Sequence, residues 1–532
     1  MSAPTSVPIA DPAGISALRA DLDSAGYTVD GARDLLGPLA AAALDREQSL
    51  PARRVVAQRA REALGDTDSA RLRLARLIGL FTLGVPLDGP ALDAALPRLG
   101  AVGAVRLGLV RPTRGAAQFV AAVDLRPYGD ETHAWWLASD CSELATGAPV
   151  APDHVLGIGG ASATLASWTP RRPVSRALDL GTGCGVQALH LATHAASVTA
   201  TDLSSRAVAF AGFNAALNRQ DWRLLTGSML EPVAGQRFDL VVSNPPFVIT
   251  PRTADLVQYT YRDGGRVGDG IVAELIGAAG SGVSGVADVL QPGGVAQFLA
   301  NWEVGAGADW RDRVRAWVEP TGLDAWVVQR ELTDPAQYAE LWARDGGHVA
   351  GSAESGAAFE AMYAAWLDDF EAREVAAIGF GVITLQRPER ARPAFVDLVE
   401  VLGPVAPVMG TVVDAGLAAR TWLAEHDDAD LLARHWQVAP DVTQEHHYRP
   451  GEADPAVILV RQGGGLGLAH RVDTVAAAYV SVADGELSAD QAAVAIAALL
   501  DADTEAVRAQ VAGTVRTLVR DGLLTIGDAA AS

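Results

Sequence analysis

The 532-residue chain contains no lysine, so every fixed cation in it is an arginine. Cysteine is nearly absent as well. Cys141 and Cys184 are the only two, which excludes a disulfide framework and argues against a cysteine-built metal site. No uninterrupted apolar run reaches the roughly 18 residues of a membrane span, so no membrane partner is expected. The opening MSAPTSVPIADPAG lacks the basic and apolar regions of a secretion signal, and a cytoplasmic location is expected. Positive charge is scarce overall. The formal net charge of −22 argues against a protein that coats nucleic acid non-specifically, because neutralising phosphates requires clustered cations.

What is present reads as an ordinary folded chain, with 49% hydrophobic and 20% charged residues. Its length exceeds what one hydrophobic core supports, so several domains are expected. One stretch departs from the acidic balance. Residues 53–114 carry Arg53, Arg54, Arg59, Arg61, Arg71, Arg73, Arg76, Arg98, Arg106, Arg111 and Arg114 against only five acids. That excess could face a phosphate backbone, although a solvated helix face with i,i+4 pairs accounts for it as simply.

Three regions follow from the pattern. Residues 1–130 read as helices (ISALRADLDSAGY, ARLRLARLIGLF) followed by two strand-like runs, 102–110 and 117–125, joined by Arg-Pro-Thr-Arg-Gly. Helices plus a hairpin suggest a winged-helix-like module, a shape that fixes no function. Residues 131–388 alternate strands (176–180, 197–202, 238–244, 293–302, 324–332, 377–386) with helices, which implies an α/β fold with a mostly parallel, doubly covered sheet. A helical, aromatic insertion at 333–375 (Tyr338, Trp342, Phe359, Tyr363, Trp366, Phe370) interrupts the last strand pair. Residues 389–532 read as a C-terminal α+β region with a hairpin turn at Gly463-Gly464-Gly465 and a second winged-helix-like end.

Chemistry concentrates in two motifs. In Asp179-Leu180-Gly181-Thr182-Gly183-Cys184-Gly185 the glycines stand where a buried strand turns into a helix, letting backbone N–H groups approach a ligand. A dinucleotide fold uses G-x-G-x-x-G to seat a pyrophosphate. Here the spacing is G-x-G-x-G, and the preceding Asp179 would repel a pyrophosphate. A ligand with an amino group and a sulfonium suits it, and S-adenosylmethionine has both. Asp202 ends the next strand, where an acid can accept hydrogen bonds from ribose hydroxyls.

The second motif, Asn244-Pro245-Pro246-Phe247, directly follows an apolar strand and so lies at the carboxyl edge of the sheet, where such folds bind ligands. A conjugated NH2 nitrogen is a poor nucleophile. Two acceptors, the Asn244 side-chain oxygen and the Pro245 carbonyl, would hold both N–H bonds and favour a more tetrahedral nitrogen. Consecutive prolines fix the backbone that aims the carbonyl, and Phe247 can stack on a planar target. Catalysis is then mainly positioning.

On these motifs, residues 155–302 resemble the small-domain class I methyltransferases of the NPPY/NPPF type. The family includes HemK-like enzymes that methylate a glutamine in release factors, and ribosomal-RNA guanine-N2 methyltransferases. The resemblance implies a Rossmann-like sheet and S-adenosylmethionine as cofactor, lined by Asp179, Gly181, Thr182, Gly183 and Gly185 and held at its ribose by Asp202. It also implies a target seated by Asn244 to Phe247. Tyr261-Arg262-Asp263-Gly264-Gly265 followed by Gly268 is similar to the Asp-Gly-Gly-x-x-Gly stretch of the glutamine enzymes. Where those enzymes carry Gly-Asp against the adenine amino group, this chain has Gly227-Ser228, and Ser228 takes that place.

Other signals are weaker. Cys184 sits inside the glycine loop, not presented to a base as a nucleophile must be. His446-His447 with Glu445 lacks further spaced ligands, so no metal is expected. Gly463 to Gly467 lacks the lysine and Ser/Thr of a phosphate loop. The insertion aromatics could stack a flipped base but sit at core-packing spacing. The sequence therefore leads to a methyltransferase acting on a planar NH2, with a glutamine side chain of a release factor or ribosomal protein favoured. An exocyclic amine of guanine or adenine in RNA or DNA is the alternative. A non-enzymatic winged-helix sensor of a nucleotide ligand is a third reading, against which the intact acceptor pair argues.

Overall fold

The computed structural model describes residues 7–62, 69–113, 117–146, 150–252, 259–277, 285–345 and 353–526. Arg114 lies outside them.

The chain opens with helices whose ends are written in the sequence. Asp11 caps Pro12–Ala25, its side chain accepting the Gly14 amide hydrogen at 2.8 Å, and Gly26 closes the helix in the left-handed conformation. Helices Val29–Leu44, Leu50–Glu62 and Ala70–Leu77 follow. The strand expected at 102–110 is instead a helix, Gly100–Arg106, with pairing beginning only at Val110. Its buried residues, Ala101, Ala104 and Leu107, recur every third position. The alternation of small and branched residues concealed that helical period. The 117–125 run is likewise two strands. Gln118–Ala121 pairs with Val110–Pro112 in a hairpin, and Asp124–Gly129 pairs with Ala134–Ser139.

The second hairpin docks on the central region through two asparagines one helical turn apart. Asn214 Oδ1 accepts the Ala138 amide hydrogen at 2.8 Å, and Asn218 Oδ1 accepts that of Trp136 at 3.0 Å. The hydrophobic core runs without a break from Ile15 through the N-terminal helices and the central sheet to Leu417 and Leu466.

The central sheet is built from β1 (Val174–Leu180), β2 (Ala195–Asp202), β3 (Trp222–Thr226), β4 (Phe238–Ser243), β5 (Leu290–Gly305), β6 (Asp324–Thr333), β7 (Val375–Gln386) and β8 (Val396–Glu400). Helix α1 (Val186–Leu191) follows β1 and α2 (Ser205–Leu217) follows β2. Helices α3 (Pro335–Asp345) and α4 (Ala353–Ala372) form the insertion between β6 and β7. The spatial order is β8-β6-β7-β5-β4-β1-β2-β3, and every pairing is parallel except those of β7. The 3-2-1-4-5 half is the Rossmann-like arrangement, with its topological switch between β1 and β4. Edge strands β3 and β8 were not anticipated from sequence.

Beyond β8, helix Gly410–Glu425 leads to a second core of residues between Leu423 and Leu524. Strands Val457–Gln462 and Ala469–Val472 form the hairpin expected around Gly463 to Gly465, and Asp441 accepts the Gly464 amide hydrogen at 2.7 Å. Helices Ala489–Leu500 and Thr504–Arg520 pack beside a small sheet made from residues 435–438, 484–488 and 524–526. No helix among the described residues is long and apolar enough to cross a membrane.

Candidate active site

The glycine loop and the Asn-Pro-Pro-Phe loop leave the carboxyl ends of β1 and β4, which are hydrogen-bonded neighbours in the sheet. Ser243 Oγ donates to the Leu180 carbonyl at 2.7 Å and fixes the two strand ends against each other. Both loops open into one cavity of about 430 Å³. Gly181, Thr182, Gly183, Asp202, Ser228, Asn244, Pro245 and Pro246 line it, so most of the residues singled out from the sequence share one wall system.

Gly181 and Gly183 adopt φ of +73° and +56°, and a Cβ added at either would stand in open space. The loop is therefore a cradle that side chains would fill, and its glycines let backbone approach whatever occupies the cavity. Asp202 ends β2. Its carboxylate accepts the Gly183 amide hydrogen at 2.9 Å and that of Ser204 at 2.8 Å, which fixes both the loop and the carboxylate. Next to Ser228, Met229 lines the same cavity at φ +46°, a left-handed backbone uncommon for a non-glycine residue.

Three residues expected to contact ligand directly are placed elsewhere. Asp179 is fully buried and outside the cavity lining. Its Oδ2 accepts from Thr182 Oγ1 at 2.6 Å and from the Ala188 amide at 3.0 Å, so it builds the turn from beneath. Burial, with the nearby Asp202 charge adding to it, pushes its carboxyl up to about 7. Gly185, at φ +94°, lies where a Cβ would come within 2.8 Å of the Trp222 ring; its glycine serves helix–strand packing. Phe247 is buried with its ring 5.6 Å from that of Phe380. It anchors the loop in the core and is not presented to a target. In each case the sequence gives the strand end but not which side of the backbone faces the cavity.

Asn244 carries the most telling detail. Its Oδ1 is buried and accepts no hydrogen bond, although the residue borders the cavity. A buried acceptor without a donor costs free energy unless a ligand supplies one. The Pro245 carbonyl accepts the Phe247 amide hydrogen at 2.7 Å, which leaves it one further lone pair.

Several lining residues escaped the sequence reading. His154 is buried, and burial pushes its imidazole down to about 4, so it is neutral at pH 7. Its ring meets Tyr261 edge-on at 6.1 Å. Asp140, bonded to the Val155 amide (2.8 Å) and to Arg206 (2.5 Å), holds this wall in place. Neither His154 nor Asp140 lies in a recognisable motif, whereas Tyr261 opens the stretch that ends in Asp263-Gly264-Gly265. The only signal available was position just before the glycine loop.

Among the described residues no group of three or more His, Cys, Asp or Glu is arranged to hold a metal. His446 and His447 are exposed strand residues, with Glu445 bonded to Arg461. Cys184 is buried, its Sγ 3.1 Å from the Leu156 carbonyl. Of the insertion aromatics, Tyr338, Trp366 and Phe370 are core residues.

Fold and site together define a Rossmann-like domain with an open glycine cradle beside a strand end that carries an unpartnered acceptor. Residues 157–261 match the family described as methyltransferase small domain; residues 24–122 and 414–526 match two domains of unknown function (DUF7059 and DUF7782). The chain is 36% identical over 177 residues to the release factor glutamine methyltransferase of Bordetella pertussis, covering 32% of this chain and 61% of that one. It is 34% identical over 204 residues to the ribosomal protein uL3 glutamine methyltransferase of Xanthomonas campestris pv. campestris, covering 36% and 60%. It is 35% identical over 102 residues to the tRNA1(Val) (adenine(37)-N6)-methyltransferase of Tolumonas auensis, covering 18% and 42%. The chain thus spans between 42% and 61% of the length of these relatives. The central region carries a methyltransferase small domain, similar to the class I, S-adenosylmethionine-dependent enzymes of the HemK-like type.

Proposed function

We propose that this chain methylates a planar NH2 nitrogen, the side-chain amide of a glutamine in a protein partner such as a release factor or ribosomal protein. The observation that carries the reading is the buried, unpartnered Asn244 Oδ1 at the edge of the glycine-loop cavity. S-adenosylmethionine, when bound, supplies an electrophilic methyl carbon and a neutral thioether leaving group.

The residues present fit that group. Gly181 and Gly183 give it backbone room, Asp202 offers its carboxylate to the ribose, and Ser228 borders the same cavity. Asn244 Oδ1 takes one N–H of the acceptor amide, and the free lone pair of the Pro245 carbonyl takes the other. Two acceptors pulling on both N–H bonds weaken the conjugation that makes an amide nitrogen a poor nucleophile. Their rigidity, from the proline pair, means the reorganisation is complete before the substrate arrives. Phe247 keeps the loop seated from the core side. A glutamine target is supported by the two glutamine methyltransferase relatives and by the Asp263-Gly264-Gly265 stretch beside the loop, where Asp263 accepts the Gly265 amide hydrogen at 2.8 Å.

The test is transfer of labelled methyl from S-adenosylmethionine into lysate of cells lacking the enzyme, divided between protease and nuclease treatment. Label released by protease is expected. Label released by nuclease would place the acceptor in a nucleic-acid base, as the tRNA enzyme's name describes for that relative, and overturn the glutamine reading.

A further inference from the structure

We infer that Tyr338, carried on the insertion between β6 and β7, is a positioning residue for the acceptor loop; this rests on the methyl-transfer reading of the site. Tyr338 is buried, and its hydroxyl oxygen receives two hydrogen bonds. One comes from the Ile249 amide at 3.0 Å, from a residue 89 positions away, and the other from Asn301 Nδ2 at 2.5 Å on β5. Ile249 stands two residues beyond the Asn-Pro-Pro-Phe motif. One turn further along α3, the Trp342 carbonyl accepts from Arg262 Nη1 at 3.1 Å.

Those contacts grip both stems of the loop that borders the cavity. The first stem contributes Asn244, Pro245 and Pro246 to the lining, and the second contributes Thr260, Tyr261 and Asp263. The stems are joined to each other by the Val248 amide donating to the Arg262 carbonyl at 3.0 Å and by the bridge between Phe247 and Asp263. Through Ile249 and Arg262, α3 therefore determines where Asn244 Oδ1 and the Pro245 carbonyl stand relative to the second wall. Tyr338 touches neither cavity nor cofactor cradle, which separates its role from theirs. Its ring is held independently of the hydroxyl, with Trp366 and Phe370 at 5.8 Å. Removing the oxygen alone leaves that packing and strands a buried Ile249 N–H without a partner.

The experiment compares the full-length chain with Tyr338→Phe by amide hydrogen exchange, by S-adenosylmethionine binding, and by the initial rate of methyl transfer into lysate protein. Exchange should rise in peptides spanning 245–252 and 259–266 and stay unchanged across 176–202. S-adenosylmethionine affinity should stay within about twofold while the transfer rate falls roughly tenfold to a hundredfold, the range expected for one lost buried hydrogen bond at the reacting centre. Unchanged exchange at 245–252 overturns the proposal whatever the activity. A rise spread over the whole chain also overturns it, because the hydroxyl would then serve general stability. Loosening confined to the two stems in a wild-type background that transfers no methyl would sustain the positioning role and sink the methyl-transfer reading instead.

Discussion

Thr182 Oγ1 donates to Asp179 Oδ2 at 2.6 Å, while Oδ1 of the same carboxyl is buried with no partner. The pair ties the first residue of the glycine loop's second half to the end of β1. It also stores a titration, because burial pushes Asp179 up to about 7 from an ordinary 3.8.

The sign of its effect on stability follows from proton linkage. The native state binds this proton more tightly than the unfolded chain does, so the stabilising contribution is complete below about pH 4 and is lost as pH rises through about 7. Asp179→Asn removes the titration. Its melting temperature should therefore improve relative to wild type between pH 5.5 and 8. A difference that stays flat over that window would show that the carboxyl does not titrate there.

Asn244→Ala should leave S-adenosylmethionine affinity nearly intact and reduce methyl transfer by about two to three orders of magnitude, the effect typical of removing one preorganised polar group from a reacting centre. Isothermal titration and a labelled-methyl assay measure the two quantities separately. Near-normal turnover would remove Asn244 from the chemistry.

Gly183 and Gly185 share a left-handed backbone but should fail differently when changed to alanine. At Gly183 the new methyl enters open cavity, at a backbone cost of about 1 to 2 kcal/mol, so the main loss should be cofactor affinity. At Gly185 it meets Trp222 within 2.8 Å, so the main loss should be thermal stability. Denaturation and cofactor titration of the two variants decide it, and identical profiles would contradict the division of roles.

Arg420 joins the central sheet to the C-terminal unit. It is buried with its guanidinium 3.8 Å from the Trp326 ring centroid, bonded to Asp397 at 2.8 Å and to the Arg520 carbonyl at 2.7 Å. Arg420→Ala takes from that carboxylate its nearest cation, leaving only Arg520 at 4.0 Å, and should destabilise by about 3 kcal/mol. Urea denaturation reads the change. A shift below the noise of the midpoint would mean that the two units hold together without it.

The first-order reading of the site was legible because its signals are local. A strand, a turn of glycines and a helix are consecutive in 176–191, and the acceptor motif directly follows the apolar strand 238–243, so spacing alone places both at the carboxyl edge of one sheet. Strands β1, β2, β4, β5, β6 and β7 were equally readable from short apolar runs. Edge strand β3 was not, since Trp222–Thr226 mixes apolar and exposed residues. The helix Gly100–Arg106 reads as a strand in sequence because its small residues fit either period.

By itself the sequence determined the domain type and put the glycine turn and the Asn244-Pro245-Pro246 stretch at the carboxyl edge of one sheet, since each depends on residues adjacent in the chain. Tertiary structure decided that Asp179 and Phe247 turn away from the cavity and that Asn244 Oδ1 is left unpaired. It also decided that Tyr338 reaches across 89 positions to Ile249. Facing, burial and hydrogen-bond partnership arise only when distant segments close around the same volume, and no local spacing encodes which groups that closure will satisfy.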